Sequence, residues 1–123
     1  MSAGKAIYYT GLEELAKLTG GLGTPFGYME VGTGTTTPTS TQPMVSPVKR
    51  RACGVITTDG STVHFECAFQ PGDFPDGTDL YEISIHNAAS GGAMLGREVL
   101  ATPIKVWNAI GCTIACEYPI TAT

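Results

Sequence analysis

From Lys49 onward the chain alternates apolar and polar residues with a period of two, and this pattern limits its fold more than any other feature. Its clearest instance is the last: Ile110, Cys112, Ile114, Cys116 and Tyr118 form one row, opposite Gly111, Thr113, Ala115 and Glu117. Successive side chains of a strand point to opposite faces, so such a row needs one buried face and one wet one. In "RACGVITTDGSTVHFECAF" the row is Val63, Phe65, Cys67 and Phe69, against His64, Glu66 and Ala68, with Asp59-Gly60 marking a turn. A two-residue Asp59-Gly60 loop would set Ile56 against Val63. A three-residue loop instead keeps Cys53 and Val55 on the face of Val63, Phe65 and Cys67, buries more, and is the register expected. "LYEISIHN" sets Tyr81, Ile83 and Ile85 against Glu82, Ser84 and His86, and "AMLGREVLA" sets Leu95, Arg97 and Val99 against Met94, Glu98 and Leu100, before Pro103 interrupts the pattern. The expectation is an all-β fold: a β-sandwich of about six or seven short antiparallel strands over residues 49–123, with Greek-key or meander connections.

The first part of the chain reads differently. Thr10 with Glu13 three residues later is a capping-box signature, Leu12, Leu15 and Leu18 recur near helical spacing, and Gly20-Gly21 stops the run, which predicts a short helix over 10–20. A helix of that length is marginal alone in water, so its leucines must dock on the sheet or on another subunit. Phe26, Tyr28 and Val31 suggest a brief strand. Residues 31–48 open with "VGTGTTTPTSTQP". No lysine follows the glycines, no helix can begin in "TTTPTSTQP", and Gly32-x-Gly34 lacks a third glycine, which removes a phosphate-binding loop. Pro38, Pro43 and Pro47 hold the backbone extended, so the segment is read as an arm, whose thirteen residues 31–43 could span about 40 Å, with an ordinary long loop equally compatible with its composition. At 123 residues the chain is expected to form one domain, 1–123.

The net charge is −4 and only 15% of residues are charged, so no basic field exists to hold a phosphate backbone; direct nucleic-acid binding is not expected. No apolar run reaches the length of a membrane span, and the N-terminus lacks a secretory pattern, which points to synthesis in the cytoplasm and no membrane partner. Cys112 and Cys116, four apart on a strand, would stand about 13 Å from each other, too far for a disulfide. Cys53 and Cys67 could approach, but four free thiols are expected, and without C-x2-C spacing no zinc site is. His64 and His86 fall on the polar faces of their strands, where solvation is the plain expectation, and no nucleophile elbow is present; no catalytic residue, metal or cofactor is assigned. Glu82 and Arg97 are placed to pair across adjacent strands as a structural ion pair. Lys49, Arg50 and Arg51 read either as a contact for phosphate or an acidic partner or as a charged strand edge that discourages stray pairing. Tyr8, Tyr9 and Trp107 are large aromatics suited to core or interface.

In this order the motifs resemble those of small virion proteins of tailed bacteriophages, a group that includes tail-fibre N-terminal attachment domains and small head or tail proteins. The resemblance runs from about Gly11 to the end, through "GLEELAKL", "YMEVGTGTTTP", "VKRRA" and "YEISIHNAASGGAMLGREVL". In that group a glutamate is followed by a Gly-Leu-Phe-like strand, an Asn-Ala-x-x-Gly-Gly turn and Leu-x-Arg, which fall here on Glu82, Asn87, Gly91, Gly92, Leu95 and Arg97; "ISIH" departs from the pattern. The resemblance implies a cofactor-free β-sandwich that works by repeated contacts in a virion, partnered by the major capsid protein or other virion proteins and by copies of itself. A lone sandwich with an arm is more similar to a capsid decoration, or cement, protein. Its expected interface is Tyr8, Tyr9, Thr36, Pro38, Pro43, Lys49, Arg50, Arg51 and Trp107. The alternatives are a tail-fibre or baseplate adaptor, and a glycan-binding module using Trp107 and the tyrosines. A hydrolase would need a pocket that gathers His64 or His86 with a carboxylate.

Overall fold

The structure is a computed structural model that describes residues 2–120. Its elements are β1 (Ser2–Ile7), α1 (Tyr9–Thr19), β2 (Tyr28–Gly32), β3 (Pro47–Ala52), β4 (Val55–Asp59), β5 (Thr62–Phe69), β6 (Thr78–His86), β7 (Met94–Val106) and β8 (Cys112–Pro119). They form an all-β sandwich of two antiparallel sheets, one of five strands in the order β1-β7-β6-β2-β3 and one of three in the order β4-β5-β8. The sandwich therefore draws on strands before residue 49 as well as after it. Between the sheets lies the core, with Met29, Val31, Ile83 and Ile85 from the larger sheet meeting Phe65, Cys67, Phe69, Ile114, Cys116 and Tyr118 from the smaller.

β5 and β8 follow the expected alternation, with Phe65, Cys67 and Phe69 buried on one and Ile114, Cys116 and Tyr118 on the other. Ile110 does not join that row: it lies before β8, bridged to Trp107, and is exposed. β7 runs through Pro103, which the sequence reading treats as a break. Pairing with β6 jumps from Leu80↔Ile104 to Glu82↔Val99, and Pro103 falls in the unpaired bulge, where a missing N–H costs no ladder bond.

The hairpin register differs from expectation. Asp59 pairs Thr62, so Gly60-Ser61 is a two-residue loop, with Gly60 at φ 59 in the position that a type II′ turn gives to glycine. Ile56 thus faces Phe65 and Val55 faces Glu66. A three-residue loop would bury more only if β4 were covered, but β4 is an edge strand whose five residues are all exposed, so burial does not select its register.

Helix α1 starts one residue earlier than predicted and has no side-chain cap. Thr10 Oγ1 instead donates to Met94 O at 3.0 Å and accepts from Met94 N at 3.1 Å, which pins the helix start to β7. Leu15 and Leu18 pack on the edge of the core, Leu12 points to solvent, and Gly21, at φ 78, supplies the left-handed residue after the helix. Helix and strand touch at Gly11, where a Cβ would stand 2.3 Å from Leu95 O. Gly11→Ala therefore gains helix propensity but forces α1 off β7, and is expected to cost about 1–3 kcal/mol net in urea unfolding. Leu12→Ala, on the exposed side of the same turn, should stay within about 0.5 kcal/mol.

Candidate functional site

The register of the larger sheet places Glu82, Ser84 and His86 of β6 on the face turned away from the core, beside Glu30 and Gly32 of β2 and Arg97 of β7. A bulge at the start of β7 aligns them: Ile85 pairs Gly96 while His86 pairs Met94, so Leu95 is the extra residue and enters the core while Arg97 turns outward. The alternation read for β7, with Leu95 and Arg97 on one face, fails at this bulge. Nor is the outward face wet. Glu82, Ser84, His86 and Arg97 are all buried, because residues 33–46 and the start of α1 lie over them.

The segment expected as a free arm is held down by its own domain. Glu82 Oε2 accepts from Gly34 N at 2.9 Å and Ser46 N at 2.7 Å, while Oε1 accepts from Val45 N at 3.0 Å and Arg97 Nε at 2.8 Å. Arg97 Nη1 donates to Thr36 O at 2.6 Å, Thr33 N to Ser46 O at 3.0 Å, and Tyr9 N to Ser40 O at 2.9 Å. Pro38 lies against Gly4. The two glycines of the GTG motif are steric requirements: a Cβ at Gly32 would stand 2.2 Å from Ser46 O, and one at Gly34 2.6 Å from Glu82 Oε2. The loop does cradle an anion, but the anion is Glu82 of the same chain. Burial alone would raise the Glu82 carboxyl; the N–H donors of Val45 and Ser46, then Arg97 and Gly34, outweigh it and hold the group below the usual carboxylate range.

Glu82 and Arg97 therefore form the expected cross-strand ion pair, and it is fully buried. Beside it opens a cavity of about 370 Å³ lined by Tyr8, Tyr9, Thr10, Glu30, Pro43, Met44, Arg50, His86, Gly91, Gly92 and Met94. Arg50 Nε meets Glu30 Oε2 at 3.2 Å, and its Nη1 donates to Ala88 O and Gly91 O, both at 2.9 Å. His86, expected in solvent, is buried. Desolvation, with the Arg50 charge second, pushes it down to about 3, so it is neutral at pH 7. This cavity does gather a histidine with a carboxylate, the condition set for a hydrolase. Ser84 Oγ at 2.7 Å and Glu30 Oε1 at 3.5 Å both approach the same nitrogen, Nε2, and Ser84 is fully buried. A relay needs acid and nucleophile on opposite nitrogens, so these three groups are not arranged as one.

Comparison with family models, with curated proteins and with solved structures finds no match.

The residues read as an interface thus separate. Tyr8, Tyr9, Pro43 and Arg50 line the cavity, with the two tyrosine rings 4.7 Å apart. Thr36 and Pro38 serve the loop's attachment. Lys49 and Arg51 turn to the other side of the sheet and share Asp73, at 3.7 Å from Lys49 Nζ and 2.8 Å from Arg51 Nη2, and the Arg51 hydrogen bonds hold the Asp73 carboxyl at about 2. Trp107 lies just past the end of β7, half exposed. His64 sits between Glu66 and Glu117, whose hydrogen bonds raise it. The cysteines are free, with Cys53 beside Cys67, and among the described residues no three His, Cys, Asp or Glu side chains are placed to hold a metal. Glu30 and Ser84 are not assigned to a site by the sequence, because alternation gives polar residues to solvent whenever the covering segment is remote in sequence.

Two outcomes follow from this geometry. Glu82→Gln keeps the shape but turns one acceptor into a donor facing two others; it is expected to cost about 3 kcal/mol or more and to expose residues 33–46 to limited proteolysis under conditions where the sheets stay folded. The second is pH dependence. The unfolded chain takes up a proton at His86 near pH 6.5 while the folded one does so only near 3. Stability is therefore full above about 6.5 and falls as pH drops through the window, by up to ~1.4 kcal/mol per pH unit. His64 is raised above this window, and Asp73 and Glu82 lose their contributions only as pH falls below their ordinary values of 3.8 and 4.5, so urea midpoints between pH 6.5 and about 5 should show the slope in the wild type and its loss in His86→Gln.

Proposed function

We propose that the chain is a structural component of a tailed-phage virion, and more finely a capsid decoration protein that stabilises contacts between capsid subunits. The observation that carries this reading is that the residues of the resemblance meet in space. Gly32 and Gly34 of the GTG element, Glu82 and Arg97 form one buried cluster. Asn87, Gly91 and Gly92 shape the adjoining turn: Asn87 Oδ1 accepts from Ala93 N at 2.8 Å, the two glycines have φ 63 and 72, and a Cβ on Gly92 would stand 2.5 Å from Asn87 Oδ1. Residues far apart in sequence that interlock in this way make the pattern a property of a fold.

The clamping mechanism changes with the loop. Its residues 33–46 are spent on the domain's own sheet, so neighbours are gripped by surfaces already in place, among them the exposed pair Trp107 and Ile110 at the end of β7. A rigid surface loses little conformational entropy on docking, which suits a protein acting through many modest contacts. A second reading, a glycan-binding module, takes support from the cavity that Tyr8 and Tyr9 wall beside Arg50 and Glu30, although Trp107 is no part of it.

Densitometry of purified virions tests the proposal. Hundreds of copies per particle are expected; a handful would favour the tail-fibre or baseplate adaptor, and absence from the particle would overturn the reading.

A further inference from the structure

The sandwich has four sheet edges, and they differ in chemistry. β3 carries Pro47, Lys49 and Arg51, β8 carries Glu117 and Pro119, and β1 carries Lys5. Charges and prolines of this kind discourage another strand from adding to an edge. β4, "VITTD", has neither until Asp59 at the turn; its other four residues are all β-branched, and Val55 and Ile56 are 43% and 46% exposed. Among the described residues, no strand pairs with its outer side. Ile56 also stands on the rim of an apolar groove of about 210 Å³ floored by Leu15, Leu18, Phe26 and Phe65. A bare edge and an open apolar groove thus adjoin at one residue.

We propose that β4 is a homodimer edge, pairing antiparallel with β4 of a second copy about a two-fold axis at Thr57. The edge is self-complementary in its backbone, and the pairing keeps its one charged residue, Asp59, away from its copy. A two-residue hairpin loop makes Asp59 and Thr62 a hydrogen-bonded pair, so Asp59, Thr57 and Val55 bond inward to β5 while Ile56 and Thr58 turn their N–H and C=O outward. Antiparallel pairing centred on Thr57 sets Ile56 of each copy opposite Thr58 of the other, matching the outward groups and joining two three-stranded sheets into one of six strands. Opposed side chains share a face, so Ile56 of the second copy lies on the groove side. Charge selects the orientation as well. Antiparallel pairing places the Asp59 carboxylates at opposite ends of the interface, whereas parallel pairing would set them side by side. The interface is closed by its two-fold axis, and a contact of one short strand with its copy is small, which makes the dimer concentration-dependent.

This inference does not rest on the virion reading, since it concerns the purified chain alone. Sedimentation velocity over about 5 to 500 µM should show a monomer–dimer equilibrium. Ile56→Lys and Thr58→Lys should each weaken it at least tenfold, while Val48→Lys, on the guarded edge of β3, leaves it unchanged; thermal melting confirms that each variant stays folded, as exposed positions allow. Thr57→Cys supplies an independent readout. Under mild oxidation it should give an interchain disulfide between the two substituted positions, identified by peptide mass spectrometry, because 57 lies opposite itself across the axis. A monomer at every concentration, a dimer indifferent to both β4 lysines, or crosslinks joining position 57 only to other sites would overturn the proposal.

Discussion

A carboxylate buried without water must find donors inside the protein, and most of this structure can be traced to how Glu82 finds them. Its two oxygens accept from three backbone N–H groups and one guanidinium, two donors to each oxygen. Removing a carboxylate from water costs several kcal/mol, and short charge-assisted hydrogen bonds of this kind are what offset it. Three of the four donors lie in residues 34–46, so the loop is fixed wherever Glu82 is fixed. Glycine is needed at 32 and 34 because backbone must come within hydrogen-bond distance of the acid from both sides. The bulge at Leu95 is needed too, since without the extra residue Arg97 would face the core.

Once the loop is down, the outward face of the larger sheet becomes a second interior. It is polar, and its groups hold one another in place, Ser84 with His86, Glu30 with Arg50, and Arg50 with the carbonyls of the Gly91 turn, while Arg97 Nη2 is left without a hydrogen-bond partner. Buried polar networks rigidify a fold when they are satisfied, and this one explains why the histidine is neutral and the serine unreachable. The same closure brings Tyr8 and Tyr9 to the cavity mouth, since Tyr8 N bonds Leu95 O and Tyr9 N bonds Ser40 O. One layer thus serves as core to the sheet and as floor to the cavity.

What could be read from the sequence depended on whether a segment had one wet face. β5 and β8 are covered on one side only, and their alternation gave the buried rows directly. β6 alternates just as cleanly, but both of its faces are buried, and nothing local distinguishes a glutamate under a loop from one in solvent. Glu82 and Arg97 were recognised as partners because cross-strand spacing is local information; their burial was not, because it depends on residues 34–46. The loop's Thr and Pro content fits an arm and a strapped-down lid equally, and the deciding contacts join residues 34 and 82 or 36 and 97. β1 was missed outright, since "SAGKAI" carries no alternation and is a strand only because β7 offers an edge. Register failed at β4 for the converse reason: with nothing buried, the turn alone set the pairing.

Satisfying the interior in this way has a consequence for how the chain can meet other molecules. A free proline-rich arm would adapt to many surfaces, losing conformational entropy each time it docked. Tied to Glu82, Arg97 and Tyr9, the same residues instead stiffen the domain, and the surfaces left open are those the fold does not finish. Two are evident: the strand-end patch of Trp107 and Ile110, and the unguarded edge of β4 beside its apolar groove. One lies in the bridged turn between β7 and β8 and the other on β4 itself, so the sheets set the geometry of both. The domain trades reach for preorganisation.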